Sequence, residues 1–230
     1  MTEPDPDTDL PTSLEASARR WPHPDAECKR AELRKWILQY VPKGGTGAEI
    51  GSFRGHFSEA LAKRLAPRRL YLVDPWALAG DTTDGGIEGG PRLPAAAARQ
   101  EAAWRMAAFP GTEARFVDGF FPKCRGAIED SLDFVYLGTG RGFEDTRQQL
   151  RFADRVLAPR GVLIGDDWWP DPESPRHGVF KAVNLFAKNN GYDVVAAGPF
   201  AQWAIRRRAD WRPASDAADD TADDGVAEAA

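Results

Sequence analysis

The stretch Gly47-Ala-Glu-Ile-Gly-Ser-Phe-Arg-Gly-His-Phe-Ser58 decides how the rest of the chain is read. It joins a short apolar run, Ala48–Ile50, to a run with helical spacing, Phe57–Leu65, through a turn that holds Gly51 and Gly55. Glycine lacks a β-carbon, so the backbone can turn tightly there and approach a ligand. The helix that follows offers free N–H groups to an anionic part of that ligand. The spacing is Glu49-x-Gly51-x-x-x-Gly55, not G-x-G-x-x-G, and no Walker lysine follows. A nicotinamide or nucleoside-triphosphate site is therefore disfavoured. Asp74 closes the next apolar run, 23 residues after Gly51. A carboxylate at the end of a second strand can accept the two hydroxyls of a ribose.

Outward from this turn, apolar runs of strand length alternate with runs of helical spacing. Upstream, Ala31, Leu33, Trp36, Ile37 and Tyr40 recur at three- and four-residue intervals and predict a helix over Asp25–Tyr40, stopped by Pro42 and Gly44–Gly45. Downstream, strands are expected at Arg69–Val73, Ala114–Asp118, Leu132–Leu137 and Val162–Gly165. Helices are expected at Ala95–Phe109, Thr146–Leu157 and Val179–Asn189. Two further strands, Tyr192–Ala197 and Gln202–Arg206, follow one another through the turn at Gly198–Pro199. Alternation of this kind predicts an α/β fold: a Rossmann-like, doubly wound sheet of about seven strands, mostly parallel. Four residues are too few for a parallel crossover, so the last strand should be antiparallel. Ligands of such sheets lie at the carboxyl ends of the strands, here just after Ile50, Val73, Val117, Leu137 and Gly165. Residues 77–94 carry five glycines and read as a long loop, either a functional lid or a disordered segment.

Charge is unevenly distributed over the 230 residues. Residues 1–20 hold five acids against two arginines, and residues 210–230 hold seven acids against Arg212. With an overall charge of −5, the intervening body is left at +4. Tails of Asp, Ala, Thr and Pro bury too little apolar surface to fold, which predicts disordered acidic tails over 1–24 and 209–230 around one domain at 25–208. Such tails compete with nucleic acid for the body's arginines. No apolar run approaches the ~20 residues of a membrane helix. The acidic, proline-rich start lacks the features of a secretory signal. Cys28 and Cys124 make neither a disulfide framework nor a metal spacing. The expected setting is the cytoplasm, and the expected partner is a small molecule, with no membrane, nucleic acid disfavoured and room left for a homodimer.

Taken as an ordered set, several segments resemble class I S-adenosylmethionine-dependent methyltransferases. Residues 48–58 are similar to their first motif, Leu70-Tyr-Leu-Val-Asp-Pro-Trp76 to the second, Ser131–Leu137 to the fourth strand and Leu157–Asp167 to the segment entering the fifth. The set spans roughly residues 30–206 and most resembles the small-molecule and sugar O-methyltransferase subgroup, whose members often bind a divalent metal. The resemblance implies that Glu49, Gly51, Ser52, Phe53 and Gly55 surround the methionine part of the cofactor. It places Asp74 on the ribose with Pro75 and Trp76 nearby, and Asp118, Gly119 and Phe120 beside the adenine. It implies S-adenosylmethionine as cofactor, transfer of a methyl group to a small-molecule or sugar hydroxyl, and Asp166 and Asp167 as ligands of Mg2+.

One motif departs from the family. Where members carry I-D-G-x-H, this chain has Leu137-Gly-Thr-Gly-Arg141, so a metal-binding acid is replaced by Gly138 and a histidine by Arg141. A positive charge there opposes a cation. Arg141 could instead hold a carboxylate or phosphate of the acceptor. The leading reading is therefore metal-independent transfer, with Asp166, His177 and Arg141 as the catalytic candidates and His177 as the general base. Two other readings stay open: residual metal assistance through Asp166 and Asp167, and a catalytically silent, methyltransferase-like binding or regulatory protein. On the metal-site reading, Gly138→Asp with Arg141→His should raise magnesium affinity. Trp168 and Trp169 read equally as acceptor walls or as packing. His56 reads as a helix-start residue, His23 as having no role, and Arg206–Arg208 as a solvated surface.

Overall fold

The computed structural model describes residues 10–23, 25–76, 82–83 and 92–209. The central strands are apolar on both faces, as strands covered by helices on two sides must be. Six elements of the first half are α1 (Leu14–Arg20), α2 (Asp25–Arg34), a 3-10 turn (Lys35–Tyr40), β1 (Thr46–Ile50), α3 (His56–Leu65) and β2 (Arg69–Asp74). Then come β3 (Thr82–Thr83), β4 (Leu93–Pro94), α4 (Ala95–Ala107), β5 (Glu113–Asp118) and β6 (Leu132–Leu137). The chain finishes with α5 (Phe143–Val156), β7 (Leu157–Gly165), α6 (His177–Asn189), β8 (Tyr192–Gly198) and β9 (Gln202–Arg207).

Seven strands form one sheet in the order β5-β2-β1-β6-β7-β9-β8. The pairs among β5, β2, β1, β6 and β7 are parallel, and β9 is antiparallel to both β7 and β8. The seven-stranded, mostly parallel sheet with its antiparallel last strand is thus as the sequence predicts. Strict alternation splits the core in two. Leu70, Leu72, Phe134 and Tyr136 face α3 and α4, among Leu61, Leu65 and Ala98. Tyr71, Val73, Val135 and Leu137 face α5 and α6, among Leu150, Val183 and Phe186. The order reverses where β1 pairs with β2 on one side and β6 on the other. That switch point opens a crevice at the strands' carboxyl ends.

The N-terminal expectation needs correction. Residues 10–23 were expected within a disordered tail, yet they hold α1. Ser13 caps it by accepting a hydrogen bond from the Ala16 N–H at 3.1 Å, and buried Ser17 donates its hydroxyl to Glu101 of α4. Trp21 packs on the core, and its carbonyl accepts from Arg54 at 2.7 Å. Buried polar contacts outweigh the acidic composition here. Residues 1–9 and 210–230 lie outside the described residues. So does most of the loop at 77–94, whose described part is the short antiparallel pair β3–β4. The helix expected over Asp25–Tyr40 is α2 followed by a 3-10 turn.

Candidate active site

The turn after β1 is held by its two glycines. Gly51 has φ +93 and Gly55 φ +80, a region that side chains rarely adopt. At Gly55 a β-carbon would also lie 2.8 Å from the Ala102 backbone, so α4 can pack against this turn only if the position is glycine. Phe53 shares the positive φ, at 46°. Its strain is offset from β2: the Phe53 N–H donates to Asp74 Oδ2 at 3.0 Å, and its carbonyl accepts from Trp76 Nε1 at 2.7 Å. Asp74 thus orders the turn through one oxygen, Oδ2.

Beside this turn lies a cleft of about 440 Å³. Glu49, Gly51, Ser52, Phe53 and Asp74 line it together with Gly138, Gly140 and Arg141. Arg30 and Arg34 of α2 cover it, with Glu27 and His56 at one end. Two carboxyls in it are tuned towards neutrality. Burial pushes Glu49 up to about 7 against the opposing hydrogen bond from the Ser58 hydroxyl and the charge of Arg34. Burial raises Asp74 to about 6, opposed by the Phe53 N–H. Clefts with such perturbed groups are where ligands and chemistry concentrate.

Asp166 and Asp167 directly follow β7 but do not stand free. Arg34 Nε donates to Asp166 Oδ2 at 2.8 Å, and Arg176 Nη1 donates to Asp167 Oδ2 at 2.6 Å. Asp167 is raised from its ordinary value, first by burial and then by Asp166, and is partly relieved by Arg176, Arg141 and Arg34. Two carboxylates therefore share a neighbourhood with Arg30, Arg34, Arg141 and Arg176. Four guanidiniums around two carboxylates oppose a divalent cation by charge, and one oxygen of each aspartate is already given to an arginine. The Mg2+ ligand pair expected from the resemblance is committed to ion pairs instead.

Other expected residues divide. Glu49, Gly51, Ser52, Phe53, Asp74 and Arg141 meet at the cleft, and Gly55 caps the helix beside them. Trp76 does not reach it; the ring is 1% exposed and supports the turn from below. Asp118 lies on the surface and accepts from Arg99 at 3.1 Å, Gly119 donates its N–H to the Asp74 carbonyl at 2.9 Å, and Phe120 is 51% exposed. None of the three lines the cleft. His177 begins α6, stacks on Phe180 and bonds the Trp169 carbonyl through Nδ1 at 3.1 Å, so it is not part of the cleft wall. Trp168 packs edge-on against Phe180 and Trp169 is exposed, and neither lines the cleft. Arg206 and Arg207 are structural: Arg206 donates to the Tyr40 carbonyl at 2.8 Å, and Arg207 pairs with Asp154.

Sequence reasoning missed Arg34, which the helical pattern of α2 presented only as a polar position. It also passed over His23 and His56. Burial, then Arg105, His23 and Arg54, hold the His56 imidazole far below its ordinary value and neutral.

The family model described as methyltransferase domain matches residues 48–168, just over half the chain. The chain belongs to this methyltransferase-domain family. Among solved structures it is similar to the O-methyltransferase from Bacillus cereus in complex with S-adenosylhomocysteine. Identity is 17% and the TM-score 0.54, covering 86% of this chain and 92% of that one. It is likewise similar to the O-methyltransferase TomG from Streptomyces achromogenes, involved in tomaymycin synthesis and complexed with S-adenosylmethionine (16% identity, TM-score 0.53, 86% and 89% covered). The precorrin 8W decarboxylase of Methanobacterium thermoautotrophicum shares the fold as well, at 18% identity and TM-score 0.50 over 81% and 92% of the two chains. Identities this low report the fold alone. A search of curated proteins finds no match. Family and fold together make this chain a class I S-adenosylmethionine-dependent methyltransferase. Among the described residues no helix is long and apolar enough to cross a membrane.

Proposed function

We propose that this methyltransferase transfers a methyl group from S-adenosylmethionine to a hydroxyl of a small, anionic acceptor, a sugar derivative included, without a divalent ion at Asp166–Asp167. The observation that carries the reading is the composition of one cleft, whose lining includes Asp74, the glycine turn and the arginines Arg30, Arg34 and Arg141. When bound, the cofactor supplies an electrophilic methyl on a cationic sulfonium. Asp74 accepts from the ribose hydroxyls through the oxygen that Phe53 leaves unused. Glu49, its carboxyl pushed towards neutrality by burial, lines the cleft where the resemblance puts the methionine part of the cofactor. Arg141 and Arg34 attract the acceptor's carboxylate or phosphate and fix its position. Holding the two reactants in line supplies a large part of the rate of a displacement reaction. The arginine pairs on Asp166 and Asp167 support metal-independence, because a cation there would meet the positive charge of both guanidiniums.

The test is a screen of hydroxylated acceptors that differ only in a carboxylate or phosphate, read as formation of S-adenosylhomocysteine with and without magnesium. Methylation confined to the anionic members and indifferent to magnesium supports the reading. Equal turnover of neutral acceptors, or a requirement for magnesium, contradicts it. Cofactor binding with no turnover of any acceptor favours the silent binding protein, for which the departure at Gly138 and Arg141 speaks.

A further inference from the structure

Where α1 and α2 meet the start of α3, three potential metal ligands converge. His56 Nε2 lies 2.8 Å from His23 Nδ1 and 3.3 Å from Glu27 Oε1, and Glu27 Oε2 lies 3.9 Å from His23 Nδ1. One ligand atom from each of the three residues falls within 4.8 Å of the others. In a tetrahedral shell with ligands at 2.0–2.1 Å, neighbouring donor atoms are ~3.3 Å apart. The two imidazole nitrogens, 2.8 Å apart, must separate by about half an ångström to meet that spacing.

A second observation points the same way. The Glu27 side chain is 91% buried, yet Glu27 Oε2 has no hydrogen-bond partner. A carboxylate oxygen removed from water without a donor is costly. The neighbouring guanidiniums do not answer for it. Arg54 donates from Nε and Nη2 to Glu101 at 2.7 and 2.8 Å, and reaches Glu27 only at 3.9 Å through Nη1. Arg105 donates to Glu59 at 2.8 Å. Glu27 thus has only a distant ion pair to Arg54, and its Oε2 stays without a hydrogen bond beside two imidazoles.

We propose that His23, Glu27 and His56 form a site for a divalent transition-metal ion of the zinc class, which fastens the N-terminal segment onto the glycine turn. Two imidazoles and one carboxylate are a donor set suited to zinc, and three protein ligands leave one position open. Glu27 and His56 both line the cleft, so that open position adjoins it. In the ion-free cluster Arg105 Nη2 lies 3.3 Å from His56 Nε2, which assigns that nitrogen as acceptor and His23 Nδ1 as the proton donor. Loading requires the lone pair of His23 Nδ1. The ring proton then resides on Nε2, 3.4 Å from Arg54 Nη2 and 3.8 Å from Glu101 Oε2, so loading must move the Arg54 guanidinium aside, as it must move Arg105 from His56 Nε2. This site is separate from Asp166–Asp167 and does not depend on the identity of the acceptor.

The experiment is a titration of the tag-free full chain with Co2+ as spectroscopic probe, followed by Zn2+ displacement. The expected result is one equivalent of cobalt with visible d–d absorption of tetrahedral intensity, lost on adding zinc. Zinc should also raise the thermal midpoint. His23→Gln and His56→Gln should each weaken zinc by more than about 100-fold, beyond the 10- to 100-fold that outer-shell partners command. Absence of the cobalt spectrum in the unaltered chain overturns the proposal, and this arm needs no variant to fold. So does a spectrum that persists in the double variant, or one dominated by thiolate charge transfer, which would point to exposed Cys28. Titration of the same samples with S-adenosylhomocysteine separates loss of the metal site from failure of the cofactor reading.

Discussion

Asp74 does two things with one carboxyl. It holds the strained Phe53 turn and presents an oxygen to the cleft. Asp74→Ala should therefore weaken binding of S-adenosylhomocysteine by ~1.5–3 kcal/mol, the cost of leaving ligand hydroxyls without a charged acceptor; calorimetric titration reads this directly. Glu49 makes the opposite trade. Its folded-state value of about 7 lies above the ordinary 4.5, so the folded protein binds this proton more tightly than the unfolded chain. For an acid shifted upward, the cost to stability is absent below pH 4.5, grows as pH rises and is complete above about 7. Glu49→Gln should stabilise the ligand-free protein by ~1–3 kcal/mol at pH 8 and by almost nothing at pH 4.5, seen as a pH-dependent difference in denaturant midpoints. A stabilised variant that binds cofactor less well marks a residue kept for function rather than for folding.

At the scale of elements, α2 matters because it sends Arg34 across to the end of β7. Arg34 lies 5.3 Å over the Tyr136 ring and is bonded to Asp166. Arg34→Met should cost about 2–4 kcal/mol, because it strands a largely buried carboxylate; the companion change Asp166→Asn should recover much of that loss in a double-mutant cycle. The same pairing alters what can be expected of the metal motif. From sequence alone, Gly138→Asp with Arg141→His should restore magnesium binding. In the structure a β-carbon at Gly138 would sit 3.0 Å from both the Ile50 carbonyl and the Tyr136 ring, while Asp166 and Asp167 remain bridged to Arg34 and Arg176. That double variant should show no magnesium binding by calorimetry, and a clear gain would mean that the ion pairs yield easily.

Across the whole molecule, most of the fold is legible in the chain because its signals are local. The alternation of Leu70 through Asp74 and of Leu132 through Leu137 encodes strands buried on both faces, and the brevity of the Gly198–Gln202 connection forces an antiparallel final strand. The cleft beside β1 is legible too, since the glycines and Asp74 that line it are tied to strand ends. What was not legible is long-range pairing between charges. No local pattern reveals that Arg54 is buried against Glu101 and the Trp21 carbonyl, a contact that turns an acidic, tail-like segment into folded structure. Nor does any pattern show that Arg34 meets Asp166 across 132 positions. His177 and the tryptophan pair follow the correct strand end, yet their rings turn to Phe180 and the surface, a matter of side-chain direction rather than of sequence position.

The central claim is a cofactor cleft that works without a cation at Asp166–Asp167. Its most direct test is isothermal titration of the unaltered protein with S-adenosylmethionine and S-adenosylhomocysteine, with and without added magnesium. Micromolar binding of both ligands, unchanged by magnesium, is the predicted result. Binding that appears only with magnesium, or no binding of either ligand, would contradict it.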